Sequence, residues 1–196
     1  MKWSRVLTRM LTRSRSGPRP GVARGQALVE FALLLSLLLL MVAAATDEAA
    51  LLNDHVSIVY ASRQGARTAS VLGTATDADC ATIGAVHAAM ATEASITLTQ
   101  IIIYKAGADG RPTSTALEDI YPGNAQCIVS NGAATITPGA ISVGWAPSAR
   151  STTPFYEDSV GVELDFTYTF QFQLLGSGTL SGSDDAVMPL EVAQTT

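Results

Sequence analysis

Twenty-one residues from Gln26 to Thr46 carry a single charge, Glu30, and otherwise run through Phe31-Ala-Leu-Leu-Leu-Ser-Leu-Leu-Leu-Leu-Met-Val-Ala-Ala-Ala45. At a rise of about 1.5 Å per residue, a helix over this stretch is roughly 30 Å long, the thickness of a bilayer's hydrocarbon core. The sequence therefore predicts one membrane-spanning helix, and no other stretch of the chain is long and apolar enough to be a second.

The lone charge asks for a reason. A carboxylate at the membrane boundary costs on the order of 2 kcal/mol or more unless it reaches headgroups or a partner. On one reading Glu30 is simply solvated at the interface. The other reading takes in Gly25 and the basic segment before it. A small residue, a scissile bond and a glutamate at the fifth position after that bond form the arrangement read by a type IV prepilin peptidase. The run Arg24-Gly25-Gln26-Ala27-Leu28-Val29-Glu30-Phe31-Ala32 resembles the start of TadE-like proteins, the minor pilins (pseudopilins) of the tight-adherence, or Flp, pilus system. The resemblance implies cleavage between Gly25 and Gln26; because an uncompensated amine in lipid is as costly as an uncompensated carboxylate, Glu30 is then expected to pair with a new α-amino group, its own or that of the subunit ahead. It also implies two kinds of partner, a prepilin peptidase and other Flp/Tad pilins.

Charge sets the orientation. Residues 1–25 hold seven of the twelve Lys and Arg residues and no acid, while the remainder has five basic and 17 acidic residues, a net charge of −12. Because Lys and Arg stay on the cytoplasmic side, the N-terminus is expected inside and residues from about 47 onward outside the cytoplasmic membrane. An acidic exterior without a basic stripe argues against nucleic-acid binding. Cys80 and Cys127 both fall on the exported side, where a disulfide between them is expected to stabilise by about 3 to 4 kcal/mol; the alternative is two unpaired buried thiols. A further alternative treats the basic leader, the apolar run and Ala43-Ala44-Ala45 as a secretory signal that releases a soluble binding domain starting near Thr46. Against it stand the acid at the start of the apolar run and a helical pattern that continues past Ala45.

Residues 1–24 include Ser14-Arg-Ser-Gly-Pro-Arg-Pro-Gly21 and read as a leader without stable helix. After the span, Leu52, Val56, Val59, Arg63 and Ala66 recur at helical spacing, so a single helix of roughly 45 residues is expected. Ala61-Ser62-Arg63-Gln64-Gly65-Ala66-Arg67 resembles a second signature of the same family, with Gln64 where the family carries an acid; Arg63 and Arg67 are expected on a solvated face. Gly73 breaks the helix, and Asp77 or Asp79 can cap a second one over 78–94 with Ile83, Val86, Met90 and Ala94 as its apolar stripe. Ile96–Tyr104 reads as a strand, Gly107–Gly110 as a turn and 111–126 as loop. Asn131-Gly132 between two short runs predicts a tight hairpin.

The clearest strand is late, where Val160, Val162, Leu164, Phe166, Tyr168, Phe170, Phe172 and Leu174 alternate with Gly161, Glu163, Asp165 and polar residues. One face should be core and the other water. Gly176-Ser-Gly178 turns the chain, and Leu180–Val192 can return antiparallel. Trp145-Ala-Pro-x-x-Arg150, Asp158–Val162 and Met188-x-x-Glu191 resemble the C-terminal half of TadE-like proteins, which implies a long helix laid across a small antiparallel sheet. The expected class is α+β: a leader at 1–25, a span at 26–46, an exterior helical continuation at 47–72 and a pilin-like exterior domain at 73–196. His55 and His87 lack ligand-spaced neighbours, no Gly-x-Ser-x-Gly occurs, and Asp109-Gly110 and Asp184-Asp185 lack a calcium-loop series. Neither catalytic residues nor a metal or cofactor are expected. The function implied is a membrane-anchored minor pilin taking part in assembly of a Flp pilus.

Overall fold

A computed structural model of the chain describes residues 20–170 and 178–191. It combines one long apolar N-terminal helix with an antiparallel sheet domain, an α+β architecture. Helix α1 is Pro20–Leu72. It starts earlier than the apolar run, because a proline at the first helical position gives up only an N–H that has no partner there anyway. Residues 20–24, read above as leader without stable helix, are therefore helical in their backbone. Positions 1–19, 171–177 and 192–196, including Phe172, Leu174 and the turn at Gly176-Ser177, lie outside the described residues. The helix ends where Gly73 takes a left-handed φ of 52° and its N–H closes on the Ala69 carbonyl at 2.9 Å. Such a C-terminal glycine satisfies a carbonyl that the helix leaves open.

The chain divides into two units, Met1–Ala43 and Ala44–Thr196. In the first, α1 buries nothing: from Gly25 to Val42 every residue is exposed, Leu28 at 70% and Met41 at 64% among them. By length and composition this helix is apolar enough to cross a membrane.

In the second unit, α1 buries Asp54, Ile58, Ala61, Ser62, Gly65, Ala66, Ala69 and Ser70. This is not the face expected from the apolar spacing, since Leu52 and Val56 are exposed and only Ala66 of that set is buried. Close approach explains the choice. A Cβ on Gly65 would stand 2.8 Å from Val86 Cγ2 and 3.1 Å from Val162 Cγ1, so the helix lies too near its neighbours for large side chains. Small residues mark the contact, and the large apolar ones point away.

Helix α2, Ala78–Ala89, buries Ile83 and Val86 and is followed by buried Met90, ending short of Ala94. Asp77 stands at its N-cap without a side-chain cap bond. Among the described residues seven strands follow: β1 Ile96–Ala106, β2 Glu118–Pro122, β3 Gln126–Ser130, β4 Ala133–Thr137, β5 Ser142–Val143, β6 Ser159–Thr169 and β7 Thr179–Pro189. Five form one antiparallel sheet in the order β5-β2-β1-β6-β7. Ile101 and Ile103 on β1 and Val160, Val162 and Leu164 on β6 pack with Ile58, Ala61, Ala66 and Ala69 of α1 as one core. The opposite face of β6 is not simply wet, because the Tyr104 ring lies across it at Gly161, where a Cβ would fall 2.1 Å from the ring's Cζ.

Strands β3 and β4 form a separate hairpin. Asn131 and Gly132 both take positive φ, 52° and 79°, as a type I′ turn demands. Cys80 and Cys127 are joined in a disulfide with Cα atoms 4.8 Å apart. It therefore ties α2 to this hairpin and not to the five-stranded sheet. Strand β2 lies in a stretch read from sequence as loop, and its inward residues are Asp119 and Tyr121.

Candidate functional site

Two regions carry the residues singled out in the sequence. In the first unit, Gly25 and Gln26 are neighbours on α1 and Glu30 stands one turn on. All three are exposed, no side chain approaches Gly25 within 4 Å, and Gln26 Nε2 donates to Glu30 Oε1 at 2.9 Å. A group at position 26 thus reaches the Glu30 carboxylate across one helical turn.

In the second unit, Arg63, Gly65 and Arg67 part company. Both arginines are exposed, whereas Gly65 is buried where α1, α2 and β6 meet. Of the three, only Gly65 has a role dictated by packing. The outward face of this part of α1 is apolar at Leu52, Val56, Tyr60 and Val71, each more than half exposed. Polar residues of the inward face fasten the helix: Ser62 Oγ donates to Asp184 Oδ2 of β7 at 2.6 Å, Ser57 Oγ to Glu93 at 2.8 Å, and Ser70 Oγ to the Pro189 carbonyl.

The densest polar constellation was not foreseen. Arg150 has a fully buried side chain, and its Nη2 lies 2.5 Å from Asp79 Oδ1 of α2 and 3.4 Å from Asp119 Oδ2 of β2. The guanidinium stands 4.9 Å from the centre of the Trp145 ring. Asp119 Oδ1 accepts the N–H groups of Gly144 and Trp145, both at 2.8 Å, and the Tyr121 hydroxyl donates to Asp79 Oδ2 at 3.0 Å. Two carboxylates against one guanidinium leave a buried excess of negative charge. Burial accordingly pushes the Asp79 carboxyl above its ordinary value despite Arg150, with Asp119 adding to the rise. The Tyr121 phenol is raised as well, by burial first and then by Asp79. Asp79, Asp119, Tyr121, Trp145 and Arg150 are all buried. What this cluster does is clamp α2, β2 and the 144–150 segment together. The only sequence trace of it was the Trp-Ala-Pro-x-x-Arg run, whose acidic partners lie 31 and 71 residues away.

His55 is exposed on α1. His87 lines an open cleft of about 240 Å³ with Met90, Glu93, Ile96, Leu98 and Asn124. Among the described residues no group of three or more His, Cys, Asp or Glu is placed to hold a metal.

Against known proteins, residues 25–67 match the family model of TadE-like protein, over the stretch that holds Gly25, Glu30, Arg63, Gly65 and Arg67. No curated protein and no solved structure gives a match. The family is associated with the Tad pilus and is not known for enzymatic activity, and among the described residues one apolar helix, α1, is a candidate membrane anchor.

Proposed function

We propose that this chain is a minor pilin, held in the cytoplasmic membrane by α1 with its N-terminus inside and its sheet domain outside, and used in assembling a tight-adherence pilus. The observation that carries the reading is one of coincidence. The family match begins at Gly25, the residue after which a prepilin peptidase would cut, and Glu30 stands five residues on at the head of an exposed apolar helix.

Cleavage between Gly25 and Gln26 turns the middle of a helix into its beginning. Gln26 acquires a positive α-amino group one turn from Glu30, and a carboxylate in the first turns is favoured by the helix's own N-terminal charge. In lipid an uncompensated amine is as costly as an uncompensated carboxylate, so the two pair, within the subunit or with the subunit ahead. Among parallel helices such a pair sets axial register, because a one-turn slip of about 5.4 Å separates charges in a medium that screens them poorly. The outward apolar positions Leu52, Val56 and Tyr60 suit contact with neighbouring subunits.

Glu30→Gln is expected to leave processing at Gly25 largely intact, since side-chain shape is kept, while lowering incorporation into the sheared pilus fraction tenfold or more. Quantitative immunoblotting of membrane and pilus fractions reads both. Incorporation at the native level would make Glu30 an interfacial residue and nothing more.

A further inference from the structure

The five-stranded sheet has two edges, and they differ. Strand β5 is two residues long, too short to template another strand. Strand β7 runs 11 residues and, among the described residues, has a neighbour on one side only, β6. Its free side can be read from the ladder. The Leu190 N–H donates to the Asp158 carbonyl, one step beyond the register pair Ser159 and Pro189. Residues of an antiparallel pair exchange bonds at every second position. Met188, Ala186, Asp184, Gly182 and Leu180 therefore turn their backbone groups to β6, and Val187, Asp185, Ser183, Ser181 and Thr179 turn theirs outward. Two contacts agree with this parity: the Pro189 carbonyl accepts from Ser70 Oγ, and the Glu191 N–H donates to the Ser70 carbonyl. The last turn of α1 thus closes one end of the edge and leaves Thr179 to Val187 open.

The sheet face beside this edge has a single sign. Asp185 stands directly opposite Glu163, Asp165 opposite Ser183, and Glu118 follows on β2 beyond Tyr104. No Lys or Arg shares that face on β2, β1, β6 or β7. Like charges directly opposite each other destabilise a sheet. The Glu163 carboxyl is raised, by burial first and then by Asp165, with Asp185 and Glu118 adding to it. The Tyr104 hydroxyl lies 3.0 Å from Asp185 Oδ2, which holds that carboxylate on the face. A second copy of β7 would bring acid against acid. On the other face Leu180 is exposed and the Phe166 ring lies over Gly182, 3.0 Å from where a Cβ would stand, so that face is apolar.

We propose that the open edge of β7 accepts an extended segment of another protein as a sixth strand, with Lys or Arg at alternate positions lying over the acidic face. Backbone bonds give such strand addition its affinity, and the alternating side chains give it selectivity.

The test uses the full chain in discs of zwitterionic lipid and three synthetic nonapeptides: alternating Lys and Val, alternating Glu and Val, and the Lys peptide with its Val residues replaced by Pro. The Lys/Val peptide is expected to bind at least tenfold more tightly than either of the others. It should slow amide exchange at Thr179, Ser181, Ser183, Asp185 and Val187. Ser181→Pro removes one outward N–H without touching the bonds to β6, and should weaken binding tenfold or more at unchanged melting temperature. Glu163→Gln should weaken binding several-fold while raising the melting temperature. Equal binding of the Lys/Val and Pro-containing peptides, or no added protection at the five amides, would overturn the proposal; the exchange readout decides even if Ser181→Pro does not fold.

Discussion

Arg150→Ala is expected to cost about 3 to 5 kcal/mol of folding stability, because it strands two buried carboxylates that were compensated by one cation. Asp119 would keep its two backbone donors, but Asp79 would retain only the Tyr121 hydroxyl and would take up a proton. The loss should therefore lessen as pH falls. Raising the folded-state pKa means that the native state binds the proton first, so stability is recovered at pH below that raised value and lost as pH rises through it. The double variant Asp79→Leu/Arg150→Met, which removes charges of both signs, should recover part of the deficit. Urea unfolding of the full chain in detergent, followed by Trp145 fluorescence, reads these values. A loss under about 1 kcal/mol for Arg150→Ala would mean that the clamp of α2, β2 and the 144–150 segment is not what holds them.

Removing the disulfide as Cys80→Ser/Cys127→Ser is expected to cost about 3 to 4 kcal/mol, from the loop of 47 residues it closes. The effect should also be local. The β3–β4 hairpin lies outside the five-stranded sheet, so amides of Gln126–Thr137 should exchange faster by more than those of β1 and β6. Unchanged unfolding, together with unchanged protection of the hairpin, would show that the contacts between α2 and β3 suffice alone.

What could be read from sequence was local or rhythmic. The 21-residue apolar run, the Asn131-Gly132 turn, the Gly73 stop and the alternation of Val160, Val162, Leu164, Phe166 and Tyr168 each carry their signal within one element, and each lies in a helix, turn or strand of the kind the pattern implied. The inward face of α1 was misread because hydrophobic spacing assumes that the largest apolar residues seek the core. Here the helix approaches β6 too closely for them, and the contact is made by Ala61, Gly65, Ala66 and Ala69, with serines bonding to β7. Strand β2 was invisible because Glu118-Asp119-Ile-Tyr-Pro122 opposes strand propensity. It is stabilised by Arg150, which lies 31 residues further on. Helix α1 beginning at Pro20 was hidden by the usual meaning of Pro and Gly, which holds in a helix interior but not at its first position.

The central claim is that the chain is processed at the head of its membrane helix and stays anchored by it. The direct measurement is the N-terminal sequence and intact mass of the chain purified from membranes of cells with and without a prepilin peptidase. The account predicts a chain that begins at Gln26, lacking the first 25 residues, in the first cells, and the full chain in the second. A start at Met1 in both would contradict processing, and a start near Thr46 would make the apolar run a secretory signal and the sheet domain a released protein.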